Sequence, residues 1–274
     1  MTSKDINIIG IKHETSWQKV FEDLINSKEG GLVNNYLELI GYNYTIDPEN
    51  ENIMSYNKDV LDFKKLAAMY KWYMSGNRWD HSIEKYFDEY KGLTSGEKPF
   101  NSNYGYYTYI KEGLSWCLSC LLDNIDTRHA IYYLGNDEAL RNSNDPLCTN
   151  SIQFFIKNHK LEMIVNMRSS NFITLLPYDS FMFSLFYCQL YNALKFKNSD
   201  SHRFLNRGEN TTSYGNLHVG HIHFQVGSLH MYKKDFSKIK NNFDNLYCDY
   251  LPLLEFGNKN FENTINKKLN NILL

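Results

Sequence analysis

Between residues 149 and 232 the chain carries a pattern that few folds can accommodate. The runs "TNSIQFFIKN" and "KLEMIVNMRS" alternate apolar and polar residues around "NHK", the signature of two strands joined by a hairpin turn. "YDSFMFSLFYCQLYNALK" follows as an apolar helix, and "NLHVGHIHFQVGSLHMY" reads as another long strand. "KKDFSKIKNNFDNLY" is expected to be the helix after it. Long strands backed by helices predict one α/β-type domain around a mixed sheet.

The flanking segments fit the same plan. Residues 14 to 28 are expected to form a helix with Trp17, Val20, Phe21, Leu24 and Ile25 on one face. "EGGLVNNYLELIGYNYTI" reads as a Gly turn and a strand. "VLDFKKLAAMYKWYMSG" (60–76) has helical spacing and stops at Gly76. Residues 92–105 read as a loop, "YYTYIKEGLSWCLSCLLDN" as mostly helix despite its internal Gly, and "HAIYYLG" as a short strand. The polar insert 195–216 reads as a surface loop. No repeat or linker divides residues 1–274, so a single domain is expected.

Composition narrows the class. Apolar residues make up 42% of the chain, with 21 Tyr and 17 Phe, which supports a sizeable core and argues against disorder. The net charge is -2 with no basic block, so direct nucleic-acid binding is not expected. Apolar runs are too short to span a membrane. The start "MTSKDINIIGIKHETSW" shows no signal peptide. Five cysteines without an even framework suggest a reducing, cytoplasmic setting.

Single residues with chemical potential each have a plain alternative. Cys148, just before a strand, is by itself most simply a buried inert thiol. Cys117 and Cys120 form a C-x-x-C, but that spacing also places two core residues on one helix face. His218, His221 and His223 invite a metal, yet no nearby carboxylate or thiol completes a closed site in the sequence, and no metal is expected. Arg168 and Ser169 end a strand and need only be solvated. Asp179 suits the first turn of a helix, where the dipole favours it. Met69 and Trp72 are most simply core.

The order of these features along the chain says more than any of them alone. "NSNYG" (101–105), "CTNSIQ", "NMRS", "YD" before an apolar helix and "VGSLHMY" together resemble the thymidylate synthase superfamily. They are closest to its pyrimidine hydroxymethylase branch, the phage-type deoxycytidylate and the cytidylate hydroxymethylases. The resemblance runs from about Leu66 to Lys240. It implies an α+β fold, a large mixed sheet flanked by helices, with the sheets of two subunits packed back to back in a homodimer.

The resemblance also assigns roles. Cys148 matches the thiolate that adds to C6 of a pyrimidine nucleoside 5′-monophosphate, making C5 nucleophilic toward a one-carbon unit from 5,10-methylenetetrahydrofolate. Arg168, near the thiol, and Ser169 match phosphate-binding residues, and a guanidinium there would favour thiolate. Arg128 matches an arginine that reaches the phosphate from the partner subunit, while His129 replaces the usual second arginine. His230 and Tyr232 share one strand face and match the pair that holds the sugar 3′-hydroxyl. Tyr104 matches the tyrosine linked to loss of the C5 proton.

Asp179 stands where thymidylate synthases carry Asn. A protonated carboxyl accepts from cytosine N4–H and donates to N3, the reverse of what uracil needs. That role implies a raised pKa in a buried site. Two positions depart from the pattern: Met69 replaces a glutamate that moves protons, and Asn171 replaces an aspartate that binds the pterin. Three readings follow. One is C5 hydroxymethylation of a cytosine nucleotide, and another is a nucleotide-binding relative with lost or altered folate chemistry. The third is a scaffold protein, which would need none of Cys148, Arg168, Asp179 and His230.

Overall fold

The computed structural model describes residues 16–27, 35–51, 54–56, 61–94, 98–135, 144–196, 214–235, 246–248 and 254–273. Five strands form the main sheet: β1 (Tyr36–Ile46), β3 (Ile131–Tyr133), β4 (Thr149–Lys157), β5 (Lys160–Asn171) and β6 (His218–Tyr232). Their order is β1-β6-β5-β4-β3. β5 and β6 run parallel and every other neighbouring pair is antiparallel, so the sheet is mixed. β2 (Met54–Tyr56) and β7 (Leu246–Cys248) make a separate antiparallel pair.

The expected hairpin joins β4 to β5. Asn158 and His159 sit at φ 50° and 59°, the left-handed pair that a two-residue turn of the strands' own twist requires. The parallel step from β5 to β6 needs a crossover, and helix α4 (Leu176–Phe196) supplies it. This helix is buried on nearly every side. Its buried residues include Phe181, Phe183, Phe186, Tyr187 and Leu190, so it lies inside the core and not along its surface.

Helix α1 (Ser16–Asn26) buries Trp17, Val20, Phe21 and Leu24 and packs on β1. Ile25, expected on that face, is exposed. Helix α2 (Phe63–Ser75) begins where the Asp62 carboxylate caps Lys64 N and Lys65 N, and it ends at Gly76 in the left-handed conformation. After it, two 3-10 turns, His81–Lys85 and Asp88–Tyr90, carry the chain across the end of α2. Trp72 Nε1 donates to Asp80 O at 2.9 Å and ties that crossing down.

The helix expected near residues 106–124 is broken. Tyr106–Ile110 form a π turn closed by Lys111 N donating to Tyr106 O. Glu112 takes a left-handed φ of 57°, and α3 (Gly113–Asp123) starts only there. The break follows from packing. A Cβ on Gly105 would lie 1.7 Å from Tyr73 O, so the chain is pressed against the end of α2 before it can turn into α3.

Two other expectations change. Leu246 and Tyr247, placed at the end of a helix after β6, belong to β7; that helix shows its start at 233–235, and 236–245 lie outside the described residues. Helix α5 (Phe261–Leu273) was not anticipated, although Phe261, Ile265 and Leu269 are buried at spacings of four. The insert from 197 to 213 also lies outside the described residues.

One irregularity shapes the sheet. In β6 the buried residues run Ile222, Phe224, Val226 and then Leu229, Met231; in β5 they run Met163, Val165, Met167 and then Ser170. The phase of alternation changes at one level in both strands while their register holds, with Met167 opposite Val226 and Ser169 opposite Ser228. Gly41 (φ 62°) lies at the same level in β1. A side chain on Gly227 would meet Arg168 O at 2.7 Å. Beyond this kink the less buried positions are Ser169, Ser228, His230 and Tyr232, and the site described next lies there.

Candidate nucleotide site

Cys148 precedes the first residue of β4, at the end of a loop fastened from below. Asp145 Oδ2 accepts from Ser102 N and Ser102 Oγ, both at 2.9 Å, and Asp145 O accepts from Asn101 Nδ2. Arg168, on β5, binds the loop from the other side. Its backbone N donates to Cys148 O at 2.7 Å, Nε to Leu147 O at 2.7 Å and one terminal nitrogen to Pro146 O at 2.9 Å. That same nitrogen lies 3.7 Å from Cys148 Sγ, and Ser169 Oγ lies 3.9 Å from it. The remaining terminal nitrogen donates to Ser169 Oγ at 3.2 Å. Sulfur, guanidinium and hydroxyl therefore meet through backbone-locked geometry.

Burial pushes the Cys148 thiol above its ordinary value; the Arg168 charge and the Ser169 hydrogen bond pull it down, and the Asp179 carboxylate pushes it further up. Burial wins. The guanidinium limits the cost of ionising the sulfur without making it a standing thiolate.

Asp179 sits in the first turn of α4, where dipole and solvent would ordinarily keep it ionised. Here it is 5% exposed and its carboxyl receives no hydrogen bond among the described residues, so burial pushes its pKa up to about 7. The negative charge of Asp179 is felt by four buried tyrosines, Tyr44, Tyr73, Tyr90 and Tyr104, whose own pKa values are all pushed well above 10, chiefly by burial. Tyr104 Oη accepts from Thr149 N at 3.3 Å, which places this hydroxyl beside the thiol loop.

A second group lies across β6 and β1. His230 pairs with Glu38 in register, and Ser228 Oγ donates to Glu38 Oε1 at 2.5 Å. The rings of His230 and Tyr232 are 5.5 Å apart, and Tyr36 meets both at 6.1 Å. Burial lowers the His230 pKa, the Ser228 backbone and Glu38 raise it, and Arg168 lowers it. This polar group thus lies within the field of the guanidinium that faces Cys148.

The remaining candidates lie apart from that centre. Arg128 and His129 are exposed and line a surface cleft of about 410 Å³ with Trp116, Cys120, Asp123, Asn124, Asp126 and Thr127. Asn171 is buried, and its Oδ1 accepts from Ile173 N at 3.0 Å and Thr174 N at 3.2 Å, shaping the turn into α4. Met69 is fully buried in α2. Cys117 and Cys120 are buried, unbridged members of α3. For the histidines the structure corrects the sequence reading: a carboxylate does lie near, with Glu162 Oε2 3.0 Å from His223 Nε2 and 3.7 Å from His221 Nδ1. Among the described residues no three His, Cys, Asp or Glu are arranged to hold a metal, and no helix is long and apolar enough to cross a membrane.

Sequence reasoning missed Glu38, Asp145, Tyr44, Tyr73 and Tyr90. Tyr73 lies in a helical pattern that marks any aromatic as core, and Glu38 and Tyr44 alternate in a strand like ordinary residues. Only the fold shows which of them surround a lone carboxyl.

No family model matches the chain. Among curated proteins it is similar to the deoxycytidylate 5-hydroxymethyltransferases of Enterobacteria phages T4, T2 and T6, each 26% identical over 209 residues, 73% of this chain and 77% of the relative. The chain is a distant relative of this group of enzymes.

Proposed function

We propose that the protein transfers a one-carbon unit to C5 of a cytosine nucleotide, dCMP or CMP, through a covalent adduct between Cys148 and C6. The observation that carries this reading is the meeting of Cys148 Sγ with the Arg168 guanidinium at 3.7 Å, in a site where burial pushes the pKa of Asp179 up to about 7. Adding the thiol to C6 forms an S–C bond as the thiol proton leaves, and the resulting electron density at C5 attacks the one-carbon unit. Arg168 favours the thiolate as it forms, and Ser169 with Arg168 offers donors to the 5′-phosphate. His230 and Tyr232 hold the sugar 3′-hydroxyl, and Tyr104 serves the loss of the C5 proton. Asp179, when protonated, donates to cytosine N3 and accepts from N4–H. Arg128 of the partner subunit completes the phosphate clamp in a homodimer.

The one-carbon donor of this reading is 5,10-methylenetetrahydrofolate, with Asn171 as its candidate contact. The fit on that side is poor. Asn171 Oδ1 already serves two backbone N–H groups and offers the pterin no carboxylate, and Met69 is an apolar core residue that can move no proton. This favours, as a second reading, a relative that binds the nucleotide but has lost or altered the folate chemistry.

Release of tritium from C5 of labelled dCMP and CMP, with and without folate, separates the two. Release that Cys148→Ala abolishes supports the enzyme. Binding of pyrimidine nucleotides with no release under any condition supports the binder, and a preference for dUMP over dCMP overturns the cytosine assignment.

A further inference from the structure

The loop that carries Cys148 is held from a distance. Arg78, half-buried just past the end of α2, donates from Nε to Phe100 O at 2.8 Å and from a terminal nitrogen to Asn101 Oδ1. Its backbone O accepts from Phe100 N at 2.8 Å. The guanidinium lies over the ring of Tyr106, 4.9 Å from the centroid, at the start of the π turn. One arginine thus grips both ends of segment 100–106. The other side of that segment meets the thiol loop. Asn101 turns Oδ1 to Arg78 and Nδ2 to Asp145 O at 3.2 Å, so its amide works in both directions. Ser102 N and Oγ donate to Asp145 Oδ2, and Tyr104 Oη accepts from Thr149 N. Asp145 and Thr149 bracket Pro146, Leu147 and Cys148. The Asp145 charge itself disfavours the thiolate, so what Asp145 gives the sulfur is position.

Resting on the reading of Cys148 as the nucleophile, we propose that Arg78 is a positioning residue for the reaction: through Asn101 and Asp145 it sets the place of the sulfur opposite Arg168. Its bonds end on Phe100 and Asn101, so it acts through them. The planar fork suits two acceptors at a fixed spacing, which a single ammonium cannot reproduce. A reacting atom misplaced by about 1 Å costs on the order of a hundredfold in rate, so a distant grip of this kind matters to turnover. Asn103 Nδ2 donates separately to Trp72 O at 3.0 Å and Asn77 O at 3.2 Å. Those bonds keep the segment on the end of α2 when Arg78 is lost, so the loss is expected to be felt as slackness at Cys148 and not as unfolding.

Two readouts test this on the full chain. Each cysteine is followed by peptide mass during brief exposure to methyl methanethiosulfonate, a small reagent that forms a mixed disulfide with accessible thiolate. Arg78→Met is expected to raise the rate at Cys148 about tenfold as its burial loosens. Cys117 and Cys188, buried elsewhere in the fold, are expected to keep their wild-type rates. In tritium release from dCMP or CMP, kcat is expected to fall on the order of a hundredfold while KM changes less than about threefold. Arg78→Lys keeps the charge over Tyr106 without the fork and is expected to fall between the two. If Arg78→Met does not fold, Arg78→Lys against the wild type decides. A merely structural role would raise the rates at Cys117 and Cys188 along with Cys148. That result, an unchanged Cys148 rate or a wild-type kcat overturns this inference. Wild-type protein that releases no tritium overturns the reading of Cys148 as the nucleophile, and the thiol rates then decide the positioning by themselves.

Discussion

At the scale of single residues, Asp179 couples the site to pH. Its folded pKa of about 7 lies above the ordinary 3.8, so the native state binds the proton more tightly than the unfolded chain. The contribution to stability is therefore complete at low pH and is lost as pH rises from about 4 to about 7. The penalty above that range is at most on the order of 4 kcal/mol. Asp179→Asn removes the ionisation. Its urea midpoint is expected to stand above that of the wild type at pH 8 and to approach it at pH 4.5. Equal pH dependence in the two proteins would show that the carboxyl ionises as easily folded as unfolded. Tyr73 makes the converse case. A buried hydroxyl without a partner costs about 1–3 kcal/mol, so Tyr73→Phe is expected to melt at or above the wild-type temperature without ligand. A marked loss of stability would show that the hydroxyl is satisfied in the native protein.

At the scale of elements, Gly105 shows how packing overrides pattern. Apolar residues from Tyr106 to Leu122 fit a helical period, yet the chain turns through a π turn and a left-handed Glu112 before α3 begins. The cause lies in tertiary contact, the approach of Gly105 to Tyr73 O, which no local window contains. Gly105→Ala would drive a methyl into that carbonyl and displace the end of α2 together with Tyr73 and Tyr104. A loss of more than about 3 kcal/mol is expected in urea denaturation, in the class of overpacked and strained sites. A loss below 1 kcal/mol would show that the two segments part freely. Other elements were legible because local chemistry agreed with the fold. The β4–β5 hairpin shows two clean alternations around Asn158 and His159, and α2 shows Asp62 and Gly76 at its ends. The three-residue strand β7 was too short to carry a period against the helical spacing that precedes it.

At the scale of the whole molecule, the order of motifs conveyed the central part of the site. Cys148 stands far enough from Arg168 and Ser169 in sequence that only the β4–β5 hairpin unites them, and that hairpin was readable. The tyrosines that feel the Asp179 charge were not, because Tyr44, Tyr73, Tyr90 and Tyr104 come from separate segments that no local pattern connects. Arg128 raises a question of assembly. It is exposed and lines a surface cleft, apart from the contacts of the thiol within its own chain. If the partner subunit receives it, two inactive proteins should repair each other. Cys148→Ala mixed with Arg128→Ala, after exchange of subunits, is expected to recover up to about a quarter of wild-type tritium release, the share of sites that unite an intact thiol with an intact arginine under statistical mixing. No recovery, together with a monomer in sedimentation, would rule out a shared site.

The guanidinium beside the sulfur is anchored to Pro146 O and Leu147 O, the two residues immediately ahead of the cysteine. Charge and nucleophile thus ride on one short strap, and slackening it takes both away together. Alkylation becomes a gauge of that fastening. Iodoacetamide should label the wild type more slowly once a phosphate-bearing ligand tightens the strap, whereas Asp145→Asn, with its hold on Ser102 weakened, should label at a rate that ligand changes far less.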